Sequence, residues 1–272
     1  MGEYLRAGGL EIWTEQVGEG PDVLLIGGLG DTVESWQFQL DGLADRYRLT
    51  AFDNRGAGRT AMPEGPVSAA VMADDAAAVL RALDVPAAHV AGFSMGSAIA
   101  QELALRHPGL VRSLVLNSTY ARADALWRAQ LDFWRWLPEA APDERAFFEA
   151  FFTWVYTPRA HADGSVAEIV EEALSFSHGQ SVEDFKAQVD VCRGHDTADR
   201  LSEISAPTLV LAGEFDTILP PRFGRAVADA IPGARFEVLP GEAHQPFQEI
   251  PDEWNARVDA FWREVEARPD GR

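Results

Sequence analysis

The chain has 272 residues, a length that one α/β domain can hold, and 47% of it is apolar, enough for a large buried core. Its formal charge of −20, from 43 acidic and 23 basic residues, repels phosphate backbones and anionic lipid, so neither nucleic acid nor a membrane surface is an expected partner. The lone cysteine, Cys192, excludes an intrachain disulfide, and no apolar run approaches the length of a membrane span. The opening MGEYLRAGGLEIW lacks a basic stretch followed by an apolar one, so the expectation is a cytoplasmic protein without a signal peptide.

Residues 11–17 alternate as a strand does. Residues 23–26 are an apolar run closed by Gly27-Gly28, as a strand covered on both faces should be. Residues 49–52 repeat that pattern and end at Asp53, before the turn Asn54-Arg55-Gly56. Helical spacing over 67–83 predicts a helix on one sheet face. A third apolar run at 89–91 leads through Gly92 into a helical stretch reaching Arg106, and a fourth occupies 114–116. The alternation resumes with a strand at 209–212, a helix near 222–230, a strand at 236–239 and a last helix around 254–266. Such alternation predicts βαβ units on a parallel sheet.

Residues 119–206 interrupt this rhythm. Strand-like runs vanish, and helical stretches carry Trp127, Phe133, Trp134, Trp136, Phe147, Phe148, Phe151, Phe152, Trp154 and Tyr156. The organisation read from this is an α/β core at 1–118 and 207–272 with a helical lid at 119–206, covering the carboxyl ends of the strands where open α/β sheets bind ligands. Most of these aromatics are expected to pack the lid's own core, since aromatics at helical spacing usually face inward. Trp134, Phe148 and Trp154 from the lid, with Gly28 and Trp36 from the core, are the candidate substrate contacts.

Gly92-Phe93-Ser94-Met95-Gly96 is a G-x-S-x-G sequence between an apolar strand and a helix, the context in which this motif presents a nucleophilic serine. Small flanking residues let the serine take a strained turn without backbone collision, and the helix aims its amides at the reacting centre. A hydroxyl needs a base. Of six histidines, His89 falls inside a strand, His107 ends a helix, and His161, His178 and His195 belong to the lid. His244 follows the strand at 236–239 through a short loop, which puts it on the same rim as Ser94. Asp216 follows the strand at 209–212 and is the candidate to orient the imidazole, with Glu214 and Asp252 as rivals pointing away and capping the last helix. Acyl transfer also needs two backbone donors for the oxyanion. Met95 supplies one, and Gly27-Gly28-Leu29-Gly30 supplies the other through Leu29, or alternatively Gly28. Asp53, Arg55, Gly56 and Gly58 read as a structural turn beneath that loop.

The segments GGLGDTVESW, AFDNRGAGRT, AGFSMGSAIAQ, LAGEFDTILPP and GEAHQPFQEIPDEWN resemble the α/β-hydrolase superfamily in order and spacing. They are most similar to the branch of 3-oxoadipate enol-lactonases, small esterases and cofactor-free haloperoxidase-like enzymes. The resemblance implies an α/β fold with a mostly parallel eight-stranded sheet, helices on both faces, and a helical lid after the sixth strand. It implies Ser94, Asp216 and His244 as triad, Leu29 and Met95 as oxyanion donors, and no metal or organic cofactor. It departs from many relatives in having Gly27 where they carry histidine. The expected activity is hydrolysis of a carboxylic ester or lactone of a largely apolar small molecule, by a monomer or homodimer. The same groups could serve a cofactor-independent lyase, carbon–carbon hydrolase or cyclase, or persist in a non-catalytic receptor.

Overall fold

The structure is a computed structural model that describes residues 2–268; Met1 and residues 269–272, the outermost ends of the expected core segments, lie outside the described residues. Its sheet runs β1 (Glu3–Ala7), β2 (Leu10–Val17), β3 (Asp22–Ile26), β4 (Arg48–Phe52), β5 (Ala88–Phe93), β6 (Val111–Asn117), β7 (Thr208–Gly213) and β8 (Arg235–Leu239). The spatial order is β1-β2-β4-β3-β5-β6-β7-β8. The β1–β2 and β2–β4 pairs are antiparallel and the remaining pairs parallel. The predicted fold class is therefore the observed one.

Strands β3 and β5 to β7 are buried along nearly their whole length because helices cover both faces. On one side lie α2 (Ala69–Ala82), α3 (Met95–Arg106) and α9 (Pro221–Ala230), which pack Met72, Ala98 and Val227 with Leu24, Val90 and Val210 of the sheet. On the other lie α1 (Gln37–Leu43) and α11 (Pro251–Glu266), whose Leu40, Trp254 and Trp262 meet Leu25, Ala91 and Leu211. Alternate strand residues thus feed two separate cores, as the two-residue period of a strand requires. Ser68, just before α2, caps it by accepting the Val71 amide at 3.2 Å, so the helix starts two residues later than its spacing predicts.

The sequence reading has no counterpart for β1 or α1. β1 is a short edge strand, mostly exposed on both faces, and so lacks the apolar alternation that marks a half-buried one. Between β6 and β7 the chain forms α4 (Ala125–Ala140), α5 (Glu144–Val155), α6 (Pro158–Ala162), α7 (Ser165–Ser175) and α8 (Val182–Gly194). Asp124, Asp143, Thr157 and Ser181 cap α4, α5, α6 and α8 with their side-chain oxygens. A four-residue α10 (Pro246–Glu249) follows the loop that carries His244. Among the described residues, no helix is long and apolar enough to cross a membrane.

Candidate active site

Ser94 stands between β5 and α3 with φ 53° and ψ −115°, a conformation side-chain-bearing residues rarely adopt. The turn is closed by contacts that admit nothing larger than glycine on either side. A Cβ on Gly92 would come 2.3 Å from the Gly96 carbonyl oxygen, and one on Gly96 would come 2.1 Å from that of Ile26. The Ser94 amide is anchored to the Asn117 carbonyl at 3.0 Å, and the Ser97 hydroxyl donates to the Ser94 carbonyl at 2.6 Å. The strain is thus held by the packed sheet and helix beneath it.

The Ser94 hydroxyl lies 3.0 Å from His244 Nε2, and His244 Nδ1 lies 2.7 Å from Asp216 Oδ2. Asp216 Oδ1 meanwhile accepts the amides of Ile218 and Leu219 at 2.9 and 2.8 Å. A carboxylate holding two backbone donors on one oxygen presents an acceptor on the other, so Nδ1 carries the proton and Nε2 is free to accept from Ser94. All three side chains are buried. The His244 loop is held from both sides: the Ser118 hydroxyl donates to the His244 carbonyl at 2.7 Å, and the His244 amide donates to the Val155 carbonyl at 3.0 Å. The second bond reaches into the helical insertion. Nearby, Arg159 pairs with Glu242 at 2.9 Å, and the Thr157 hydroxyl donates to Glu249.

The rival acids lie elsewhere. Glu214 accepts the Gly241 amide at 2.9 Å on the surface, and Asp252 sits in the first turn of α11, whose cap position is Ile250. The other histidines match their expected places. His89 and His195 are buried, and burial pushes both down to about 4. Burial likewise pushes the Cys192 thiol up to about 12, which makes it inert.

The loop after β3 carries the other candidate backbone donors. The Gly28 amide is already committed to Asp31 Oδ2 at 2.7 Å, and the Gly30 amide to Gln188 Oε1 at 2.9 Å. Of the two alternatives the sequence left open, Gly28 is therefore excluded as a donor to substrate, and Leu29 lies between two engaged amides. Met95 is the first residue of α3, where a helix leaves its amides without intrahelical acceptors. The loop rests on the turn after β4 as expected. Asp53 accepts the amides of Val33 and Arg59, each at 2.8 Å, Asn54 donates to the Gly27 carbonyl at 3.0 Å, and Arg55 pairs with Asp75.

A cavity of about 1090 Å³ opens over Ser94 and His244, between the strand ends and the insertion. Of the candidate contacts, Trp134 and Phe148 line it. Three do not. Trp36 is 1% exposed and stacks on Phe247 at 4.4 Å, in the core beneath α10 and α11. Trp154 packs against Phe133 at 6.3 Å, away from the wall. Gly28 is covered by the Phe93 ring and by Asp31. The expectation that most insertion aromatics fill their own core also fails: six of the ten, Trp134, Phe147, Phe148, Phe151, Phe152 and Tyr156, line the cavity. The inner face of the insertion therefore serves as cavity wall and core at once, with Trp134 and Tyr156 buried and Phe147, Phe148, Phe151 and Phe152 packed against the core.

Sequence reasoning missed Asp31, a carboxyl in this wall that accepts from Gly28 and from the Ser35 hydroxyl at 3.1 Å. An acidic residue four positions beyond the first glycine of a ligand-facing loop was the available signal. Burial pushes this carboxyl up to about 6 from 3.8, against the Gly28 and Ser35 hydrogen bonds and the nearby His244 charge, which lower it. A folded value above the unfolded one means the protonated form stabilises the fold, fully below about pH 4, and that this contribution is lost as the pH rises through 6. Asp31→Asn, which keeps an acceptor for Gly28, should therefore unfold at higher urea than the parent at pH 7 to 8, by about 1–3 kcal/mol. The two should converge towards pH 4. Equal stability at pH 7.5 would contradict the buried charge.

With this geometry in view, comparisons with known proteins agree. A family model described as alpha/beta hydrolase fold matches residues 21–158. The provisionally named carbamate hydrolase RutD of Azorhizobium caulinodans is 32% identical, over 97% of this chain and 99% of its own. The provisionally named non-heme bromoperoxidase BpoC of Mycobacterium tuberculosis is 33% identical, over 92% of this chain and 97% of its own. Among solved structures, a thermophilic esterase from Thermogutta terrifontis superposes with a TM-score of 0.85 at 26% identity, covering 97% of this chain and 99% of that one. A family match over half the chain and whole-length relatives above 30% identity lead to one conclusion: this chain belongs to the α/β-hydrolase fold family.

Proposed function

We propose that the protein is a serine hydrolase that cleaves a carboxylic ester or lactone of a largely apolar small molecule through an acyl-serine intermediate. The observation that carries this reading is the continuous relay from Ser94 Oγ to His244 Nε2 at 3.0 Å and from His244 Nδ1 to Asp216 at 2.7 Å. In this reading Ser94 Oγ attacks the acyl carbon while its proton passes to Nε2. The amides of Met95 and Leu29 receive the developing oxyanion. His244 then returns the proton to the leaving alkoxide, which departs and leaves the acyl group on Ser94. Water attacks that ester with His244 again as base, and Ser94 is regenerated. Asp216 keeps its hydrogen bond to Nδ1 throughout and steadies the imidazolium. The helical insertion acts as the lid, its aromatic inner face holding the acyl or alcohol portion away from water. The esterase from Thermogutta terrifontis, similar along the whole chain, supports the ester reading.

A fluorophosphonate probe should label the protein once, at Ser94, as read by mass spectrometry of the labelled peptide. Prior acylation by a slowly hydrolysed p-nitrophenyl ester should block the label. Labelling at another serine, or none, would remove the proposal.

A further inference from the structure

Asp31 lies in the wall of the cavity that holds Ser94 and His244, close enough to His244 for their charges to interact. Among the described residues, its oxygens accept from two neutral donors, the Gly28 amide and the Ser35 hydroxyl. Its place is built into the loop. A Cβ on Gly27 would come 2.8 Å from the Asp31 Cβ, and one on Gly28 would come 3.1 Å from Oδ2. The glycine at 27 therefore leaves the room that the Asp31 side chain occupies.

Among the described residues, the rest of the wall supplies one guanidinium, and it is engaged by other carboxylates. Nine acidic residues and a single arginine, Arg159, line the cavity among the described residues. Arg159 is committed to Glu242 at 2.9 and 3.1 Å and leans on Glu249 at 3.5 Å. The remaining wall is largely ring faces, among them Phe93, Phe148, Phe151, Phe152 and Tyr156. An anionic group on a substrate would meet repulsion here, with the one guanidinium of the wall already paired. A positively charged group would meet a desolvated carboxylate and aromatic faces, which attract it through their quadrupoles.

We propose that Asp31 is a specificity-determining carboxylate that selects substrates bearing an ammonium group beside an apolar or aromatic body, and that the same wall rejects carboxylate-bearing ones. This rests on the hydrolase reading of the cavity, but the binding preference does not require turnover. Burial raises the free energy of the Asp31 anion, and a ligand ammonium supplies the counter-charge that the fold withholds. The anion is the majority form above about pH 6, so the preference should be strongest at pH 7 to 8 and fade towards pH 5. The groups that share the wall around it are His244, His178, Glu34, Glu249 and the Tyr156 hydroxyl, which donates to Gln248 at 2.7 Å.

The test uses benzyltrimethylammonium, its neutral carbon isostere neopentylbenzene, and phenylacetate. Each is titrated into the full-length protein by calorimetry and as a competitor of p-nitrophenyl butyrate hydrolysis, at pH 7.5. The expected result is that the ammonium binds about tenfold or more tighter than the neutral isostere, while phenylacetate binds more weakly than either. In Asp31→Asn the ratio of ammonium to neutral affinity should fall to within about twofold of unity, and Asp31→Glu should restore part of it. Calorimetry on Ser94→Ala should show the same ratio as the parent, which separates this proposal from the hydrolase reading: loss of turnover with a kept ratio leaves it standing. Equal affinity for the ammonium and its isostere would overturn it. So would an undiminished ratio in Asp31→Asn, which would assign the preference to the other wall carboxylates.

Discussion

Replacing Ser94 or His244 by alanine should lower kcat/KM for any ester the protein turns over by about 10⁴-fold or more, and the double variant should be no worse than either single one. The lack of additivity is the informative part. Ser94 and His244 share one proton across the 3.0 Å contact, so removing either partner abolishes the transfer that the other performs. The fold should tolerate the first change. The Ser94 side chain makes its hydrogen bond to His244 alone, while the strained turn is anchored through its backbone amide and carbonyl. Alanine adopts the same backbone no less readily than serine. Thermal melting of Ser94→Ala within a few degrees of the parent, beside ester hydrolysis at the background rate, is the expected pair of results. Undiminished hydrolysis in Ser94→Ala would remove the serine from the reaction.

The second large effect is that of Asp216→Asn, where kcat should fall by about 10⁴-fold with little change in stability. Asp216 Oδ1 holds the amides of Ile218 and Leu219, and an asparagine will keep its one carbonyl oxygen there. Its amide nitrogen then faces His244 Nδ1 at the position of Oδ2 and donates to it. That forces the proton onto Nε2, which then can no longer accept from Ser94. The size of the loss therefore tests the tautomer argument rather than the mere presence of a polar group. An active Asp216→Asn variant would point to a different acid, yet Glu214 is occupied by Gly241 on the surface.

Much of this was legible in the primary structure for local reasons. Gly92, Ser94 and Gly96 sit within five residues, and whether a strand can turn into a helix through a strained serine depends on those residues and on the apolar runs beside them. Asp216 and His244 follow apolar strands through short loops, so parallel strand direction alone brings them to the same rim as Ser94. The alternation of strand and helix likewise follows from hydrophobic period, which is read over a dozen residues or fewer.

What only the tertiary structure decided is which apolar surfaces face protein and which face the void. Trp36 is among the candidate substrate contacts of the sequence. It turns instead onto Phe247 and Trp254, more than two hundred residues away. Trp134 and Trp154 belong to adjoining insertion helices, yet one lines the cavity and the other packs on Phe133. Periodicity identifies a helix's apolar side, but a core and a cavity wall are both apolar, and only the neighbouring elements distinguish them. Asp31 makes the same point for charge. Its residue type was plain, but its place beside the Gly28 amide and the Ser35 hydroxyl, in a cavity wall closed by the insertion, comes from the fold alone.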